Sequence, residues 1–324
     1  MNNRDGLIYL APMEGITGYI FRNALSQCFG GVDRYFTPFI TTHTKKAMNA
    51  RETNDILPEH NNGIPLVPQI ISKDADDTIK LIEKLEKEHG YQEVNLNLGC
   101  PSGTVVAKGR GAGFLAHPKE LQMYLEQVYD KIGIAMSIKT RIGLEDAGEF
   151  QQLLEIFNQF PVSELIVHPR VQKDFYKNKP DLETFSYACQ ESSCSVVYNG
   201  NLFTKEDVAE FQERFLSCDT VMIGRGLISN PALARELKGG KRLEMEEFQE
   251  FHGLLLQGYA KELSGDKNIL FKMKELWFYF EKQFDHTDKH MKKIKKSQSL
   301  MEYELAVKQL LNESQILERP TVVF

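Results

Sequence analysis

Eight short apolar runs of strand length, most of them separated by stretches with helical spacing, constrain the fold of this 324-residue sequence more than any other feature. The runs are Leu7–Met13, Arg34–Ile40, Pro65–Ser72, Glu93–Cys100, Ala135–Ile142, Glu164–Arg170, Ser195–Asn201 and Thr220–Gly226. Between them, Ala75–His89 sets Ile79, Leu81, Ile82 and Leu85 at amphipathic spacing, and Pro118–Asp130, Phe150–Gln159 and Thr204–Leu216 read as further helices. Thr204 with Asp207 three residues on has the form of a helix start. Eight β/α units within residues 7–226 predict an α/β fold of the (β/α)₈ barrel type, which carries its functional groups at the carboxyl ends of the strands. A doubly wound open sheet would show a glycine-rich GxGxxG first turn, whereas the first turn here is Pro12-Met13-Glu14-Gly15.

After Gly239-Gly240 the pattern changes. From Glu244 to Asn312 the sequence is helical in period, without proline and with only Gly253, Gly258 and Gly265. Segments such as Phe271–Phe284 and Ser299–Leu311 read as amphipathic helices. The expectation is a barrel domain over residues 1–240 and a small all-helical domain over residues 241–324.

No apolar run reaches the roughly 18–20 residues that a membrane span needs, and Leu7–Met13 is too short for a signal peptide, so a cytoplasmic protein is expected. Five cysteines with no CxxC pair favour neither a disulfide framework nor a zinc site, and no metal is expected. A net charge of −6 argues against a nucleic-acid partner only if the charge is spread evenly. It is not: Lys267–Lys296 holds nine lysines against four acids.

The polar residues at the strand ends carry the chemistry. Alternation along a strand puts Lys139 with Arg141, His168 with Arg170 and Asn95 with Asn97 on shared faces, all at one barrel mouth. A lone lysine there is most often a snorkelling rim residue. Lys139, however, lies in an apolar strand beside other cationic or titratable groups, and such crowding calls for an anion, most simply a phosphorylated cofactor. The loops after strands 7 and 8, a recurrent phosphate site in barrels, read Asn199-Gly200-Asn201 and Gly224-Arg225-Gly226, with backbone N–H groups and a guanidinium to offer. Each tripeptide alone is a weak signal; the pair is a more specific one. Cys100 falls at the top of strand 4 before Pro101, where a merely buried cysteine is the blander reading. The glycine-rich stretch Lys108–Gly113 reads as a lid over a ligand.

Taken together, APMEG at Ala11–Gly15, NLGCPS at Asn97–Ser102, KTRIG at Lys139–Gly143, HPR at His168–Arg170 with Tyr176, NGN at Asn199–Asn201 and IGRG at Ile223–Gly226 resemble the bacterial tRNA-dihydrouridine synthases. Single motifs are shared with other FMN barrels; the ordered set is specific. The resemblance implies that NADPH reduces FMN, which delivers hydride to C6 of a tRNA uracil while Cys100 protonates C5. It implies that Pro12, Met13 and Glu14 border the flavin, that Gln69 bonds its ring edge, and that Lys139 stabilises the reduced ring. Asn199, Gly200, Asn201, Gly224 and Arg225 would hold the phosphate, His168 would meet the flavin, and Asn97 and Arg141 would meet the extruded uracil. Two departures from the family pattern are Pro169 within the HPR motif and Asn95 where many members have an acid.

A base must leave its stack before it is reduced, and the lysine-rich tail, with Lys272, Lys274 and the run Lys289–Lys296, is where the substrate's phosphates are expected to bind. A monomer that needs no protein partner is the default expectation. An FMN barrel acting on a free pyrimidine, as dihydroorotate dehydrogenase-like enzymes do, would share the flavin residues but has no need of that tail. A non-catalytic RNA-binding barrel would have no need of intact Cys100, Lys139, Arg141 and His168.

Overall fold

The computed structural model describes residues 6–42 and 48–321. Ten parallel strand segments form one sheet: β1 (Ile8–Leu10), β2 (Arg34–Phe36), β3 (Ile40–Thr41), β4 (Leu66–Val67), β5 (Gln69–Ile71), β6 (Glu93–Leu98), β7 (Ala135–Arg141), β8 (Leu165–His168), β9 (Val196–Tyr198) and β10 (Val221–Ile223). The ten segments make eight staves. Thr37-Pro38-Phe39 interrupts one stave between β2 and β3, and Pro68 interrupts its neighbour between β4 and β5. β2 pairs with β4 and β3 with β5, so the two broken staves run side by side and the sheet closes on itself as a (β/α)₈ barrel. The interruption has a chemical cause, since proline has no N–H for the ladder. Beside it, the Gln69 N–H donates to Thr37 Oγ1 at 2.9 Å instead of to a strand carbonyl.

Alternation along the strands separates two cores. The outward faces pack on the surrounding helices as one continuous cluster, while Tyr9, Ala11, Phe36, Val67, Ile166, Val197 and Met222 fill the barrel. The amino-terminal end is plugged by charge: Tyr9 donates to Glu164 at 3.0 Å, and Arg34 reaches Glu93 at 3.2 Å and Glu164 at 3.7 Å. With apolar side chains in the middle and a salt-bridged floor, open space remains only at the carboxyl end. Helix Ala75–His89 spans the expected residues, and Thr204 caps Lys205–Arg214 through a reciprocal box with Asp207. Helices Tyr19–Cys28 and Leu182–Glu191 fill two gaps in which the sequence pattern suggested none.

Beyond Gly240 come helices Met245–Glu262, Asp266–Phe280, Asp288–Lys296 and Leu300–Glu313. Buried at their centre, the Tyr303 hydroxyl accepts from Trp277 Nε1 at 2.8 Å and shares a hydrogen bond with His252 Nε2 at 2.6 Å. The helices are fastened to the barrel. Phe251 meets the rings of Phe21 and Phe29 at 5.7 and 5.4 Å. Gly258 lets the backbone approach closely, because a Cβ there would stand 2.6 Å from Ile20 Cγ2. No helix among the described residues is long and apolar enough to cross a membrane.

Candidate active site

The carboxyl-end opening is a pocket of about 280 Å³, the size of a ligand site rather than of a void for single waters. Strand register assembles its floor. Asn97 pairs with Lys139 across β6 and β7, Arg141 with His168 across β7 and β8, and Gln69 with Asn95 across β5 and β6. Of the residues singled out in the sequence, Pro12, Met13, Glu14, Gln69, Asn97, Cys100, Lys139, Arg141, His168, Asn199, Gly200, Gly224 and Arg225 all line this one pocket. Ala11, Pro38, Phe39, Gly99 and Pro101 line it as well. Pro38 and Phe39 come from the kink in the second stave, whose inward bend no strand period announces.

Three amides lock together on the floor. Gln69 Nε2 donates to Asn95 Oδ1 and Asn97 Nδ2 donates to Gln69 Oε1, both at 2.7 Å, and Asn95 Nδ2 donates to Ser137 Oγ at 2.9 Å. Asn97 Oδ1 in turn accepts from the N–H groups of Gly99 and Cys100 at 3.0 and 2.9 Å. That turn fixes the backbone that carries the Cys100 thiol. Burial pushes the thiol's pKa up, assisted by Glu14 and opposed by the Ser102 backbone, Arg141 and Lys139, so the group stays protonated at neutral pH.

The opposite chemistry stands across the pocket. Burial pulls Lys139 down to about 7, and the nearby Arg141 guanidinium adds to the effect. Arg141 is itself a clamp: Nε, Nη1 and Nη2 donate to the carbonyls of Gly99, Val171 and Phe175 at 3.0, 2.9 and 2.9 Å. It thereby ties the Cys100 loop to the loop after β8. Arg170, buried like His168, places Nη1 3.0 Å from His168 Nε2. A guanidinium has no acceptor, so Nε2 accepts and the ring proton sits on Nδ1. Burial first, then Arg141, Lys139 and Arg170, hold the His168 pKa well below its usual value, so the ring is neutral.

At the far end, Asn201 Oδ1 accepts from both Arg170 and Arg225 at 3.0 Å, and the Arg225 guanidinium lies 4.5 Å from the centre of the Tyr176 ring. Asn201 thus stands behind the pocket wall and orients two cations. Gly200 has a reason internal to the protein, since a Cβ there would fall 2.0 Å from the Tyr198 hydroxyl. Among the described residues, Lys139, Arg141 and Arg225 line the pocket with Glu14 as the one acid, and Glu14 is paired with Arg51 at the rim. This excess of positive charge, with Arg141 buried and Lys139 and Arg225 half-buried, fits an anionic cofactor.

The lid expectation changes on this geometry, and two of the tail lysines are seen to have internal partners. The glycine-rich stretch does not hang over the pocket as a lid: Gly111–Ala116 is a 3-10 turn whose residues up to Leu115 are buried, and the Ala112 N–H donates to the Cys100 carbonyl at 3.1 Å. It props the Cys100 loop from behind. Lys272, expected to hold RNA, donates to the Gly15 carbonyl at 2.9 Å, and Lys274 donates to the carbonyls of Ser297 and Lys295 at 2.6 and 3.2 Å. Both bind chain segments together.

Comparison with known proteins points to the same family as the sequence motifs. The chain is 30% identical to a tRNA-dihydrouridine(16) synthase of Pseudomonas syringae pv. tomato, over 73% of this chain and 76% of that one. It is 25% identical to the enzyme so named in Shewanella oneidensis, over 87% and 90%. Among solved structures, TcOYE with pHBA superposes with a TM-score of 0.50 at 10% identity, over 74% of this chain and 92% of that one, and shares the barrel fold. The family model for dihydrouridine synthase matches residues 9–319, nearly the whole length, and the chain belongs to that family.

Proposed function

We propose that this pocket is where a uridine of tRNA is reduced to 5,6-dihydrouridine, with FMN as the resident cofactor and NADPH as the source of electrons. When bound, FMN supplies the hydride that C6 of uracil receives. The observation that carries the reading is the juxtaposition in one pocket of a thiol held protonated at Cys100 and a cation-rich wall at Lys139, Arg141 and Arg225.

The chain's own residues divide the work. Arg225 and the backbone at Gly200 and Gly224 face the phosphate, while Lys139 offsets negative charge on the ring system. The Cys100 thiol donates its proton to C5 as general acid. Asn97 and Arg141 hold the Cys100 backbone in place through Gly99 and Cys100 and still face the pocket, where their remaining N–H groups are available to the uracil oxygens. His168, neutral and protonated on Nδ1, is a donor rather than a charge. The proposed working form is a monomer in the cytoplasm. Residues 1–240 form the catalytic unit and residues 241–324 the part that orients tRNA.

The test is to incubate purified protein with FMN, NADPH and tRNA lacking dihydrouridine. The expected result is tRNA-dependent NADPH consumption with stoichiometric dihydrouridine, mapped to a defined position. NADPH oxidation unaffected by tRNA, with no dihydrouridine formed, would refute the proposal.

A further inference from the structure

Helix Asp266–Phe280 borders the pocket mouth on two sides. Its Lys272 donates to Gly15 on the loop that carries Met13 and Glu14. Elsewhere it packs on helix Arg225–Ser229, and Tyr279 lies close enough to Tyr176 and Arg225 to feel their charge. The outer side of this helix is unusual. Phe271 is 67% exposed and Phe278 is 51% exposed. Seven residues apart, they share a face and stand about 10 Å apart along the axis. The Phe278 ring meets Tyr279 edge-on at 5.2 Å, and Tyr176, itself exposed, lines the pocket. Aromatic surface therefore runs from the pocket wall outward across the rim. A single exposed ring needs no explanation, but two in register at the entrance of a catalytic pocket imply an occupant.

The surrounding charge selects the occupant. Lys272 and Lys282 ammonium groups lie 6.0 and 5.9 Å from the Phe271 and Phe278 ring centres. The acids nearest them, Glu275 and Glu281, are paired with those same lysines at 3.3 and 3.4 Å. The next helix exposes Lys289, Lys292, Lys293, Lys295 and Lys296. The Lys–Glu pairs beside the rings balance in charge, and the positive excess lies on the next helix; flat aromatic faces bordered by that lysine-rich helix match a polymer with flat bases and an anionic backbone.

We infer that Phe271 and Phe278 form a stacking platform for unpaired bases of the RNA that flank the extruded uridine. This rests on the tRNA reading above. The platform compensates the stacking lost when the target base leaves its neighbours, and so lowers the cost of extrusion.

The full-length holoenzyme and Phe271→Ala, Phe278→Ala and double variants are compared for KM and kcat on tRNA lacking dihydrouridine, with NADPH oxidation in the absence of tRNA as the control. The double alanine variant is expected to raise KM for tRNA about tenfold or more, the scale for losing one or two stacked bases. NADPH oxidation and the salt slope of binding should not move, because every phosphate is still held as before. Phe→Trp variants should retain wild-type KM, whereas Phe→Leu variants, equally apolar but without a π face, should behave like alanine. An unchanged KM in the double variant overturns the platform while leaving the tRNA reading intact. Leucine variants that match wild type overturn stacking in favour of simple apolar contact. Wild-type self-association that disappears in the double variant, with KM unchanged, assigns the face to a second copy of the chain and also overturns the inference. A wild type that forms no dihydrouridine in any tRNA removes both this inference and its premise.

Discussion

Lys139 is held in a pocket whose neighbouring charges are also positive, and its pKa of about 7 makes cofactor binding a proton-linked event. Burial and Arg141 disfavour the charged form; an anion placed beside it favours that form and raises the pKa. Below pH 7 the ammonium is present before and after binding, so this group adds no pH dependence to affinity. Above pH 7, binding must take up a proton, and FMN affinity is expected to fall as pH rises, by at most about tenfold per unit. Titration of apo-protein at pH 6, 7, 8 and 9 checks this, with Lys139→Met as the comparison. The variant should bind more weakly at pH 6 and lose the extra slope above 7; parallel profiles would show that another group is responsible. For Cys100→Ala, flavin binding and NADPH oxidation should survive while tRNA reduction falls about 10²-fold or more, the usual loss for a general acid. Reduction at the normal rate would exclude the thiol as donor. Most of this pocket was legible because β-strand alternation is rigid: once the strand was placed, Lys139 and Arg141 had to share a face. What spacing could not show is which acceptor a donor finds. Arg141, Lys272 and Lys274 each read as ligand-seeking cations, and each also donates hydrogen bonds to backbone carbonyls contributed by segments remote in sequence.

At the scale of elements, the same limit explains which boundaries were visible. Helix Ala75–His89 was plain from its apolar period, and the structure adds the Asp74 cap before it and the left-handed Gly90 after it. The second and third staves read as single strands because their apolar runs continue through Pro38 and Pro68, and only the pairing shows each to be broken there. The Lys108–Gly113 stretch read as a lid by composition, but Gly111 packs closely against Cys100 and Gly113 against Val106. Gly258 is the helical counterpart and gives a direct test. A Gly258→Val substitution puts carbon atoms within 2.6 Å of Ile20 Cγ2 and should part helix Met245–Glu262 from helix Tyr19–Cys28. The expected loss is about 1–3 kcal/mol, read as a lower midpoint in thermal unfolding. Adding Ile20→Ala should recover part of that loss by making room. A double variant whose loss is the simple sum of the two single losses would mean the two side chains do not meet.

In the whole molecule, barrel and helical segments share one apolar core through Phe21, Phe29 and Phe251, which changes how RNA binding must be tested. Cutting the chain after Gly240 would bare those rings, so failure of the truncated protein to bind tRNA would report misfolding as readily as a missing RNA contact. Neutralising lysines is the sounder course, and the structure says which. Lys272, Lys274 and Lys293 already serve as internal donors, Lys293 to Gln309 at 2.6 Å. Lys289, Lys292, Lys295 and Lys296 are exposed on helix Asp288–Lys296, while its His290, Met291 and Ile294 face the core. Replacing those four by Gln leaves the buried face untouched and should not lower the unfolding midpoint appreciably. If they grip phosphates, each grip releases counterions, and the slope of log affinity against log salt should shrink by about 0.7–0.9 for every phosphate set free. NADPH oxidation without tRNA should be unaffected, because the residues proposed to hold FMN all lie before Gly226. The Phe271/Phe278 variants should do the reverse, weakening binding with the slope unchanged, so the two sets separate charge from stacking on one protein. A quadruple variant with wild-type affinity and slope would mean that this helix faces solvent in the complex and that the phosphates are held elsewhere.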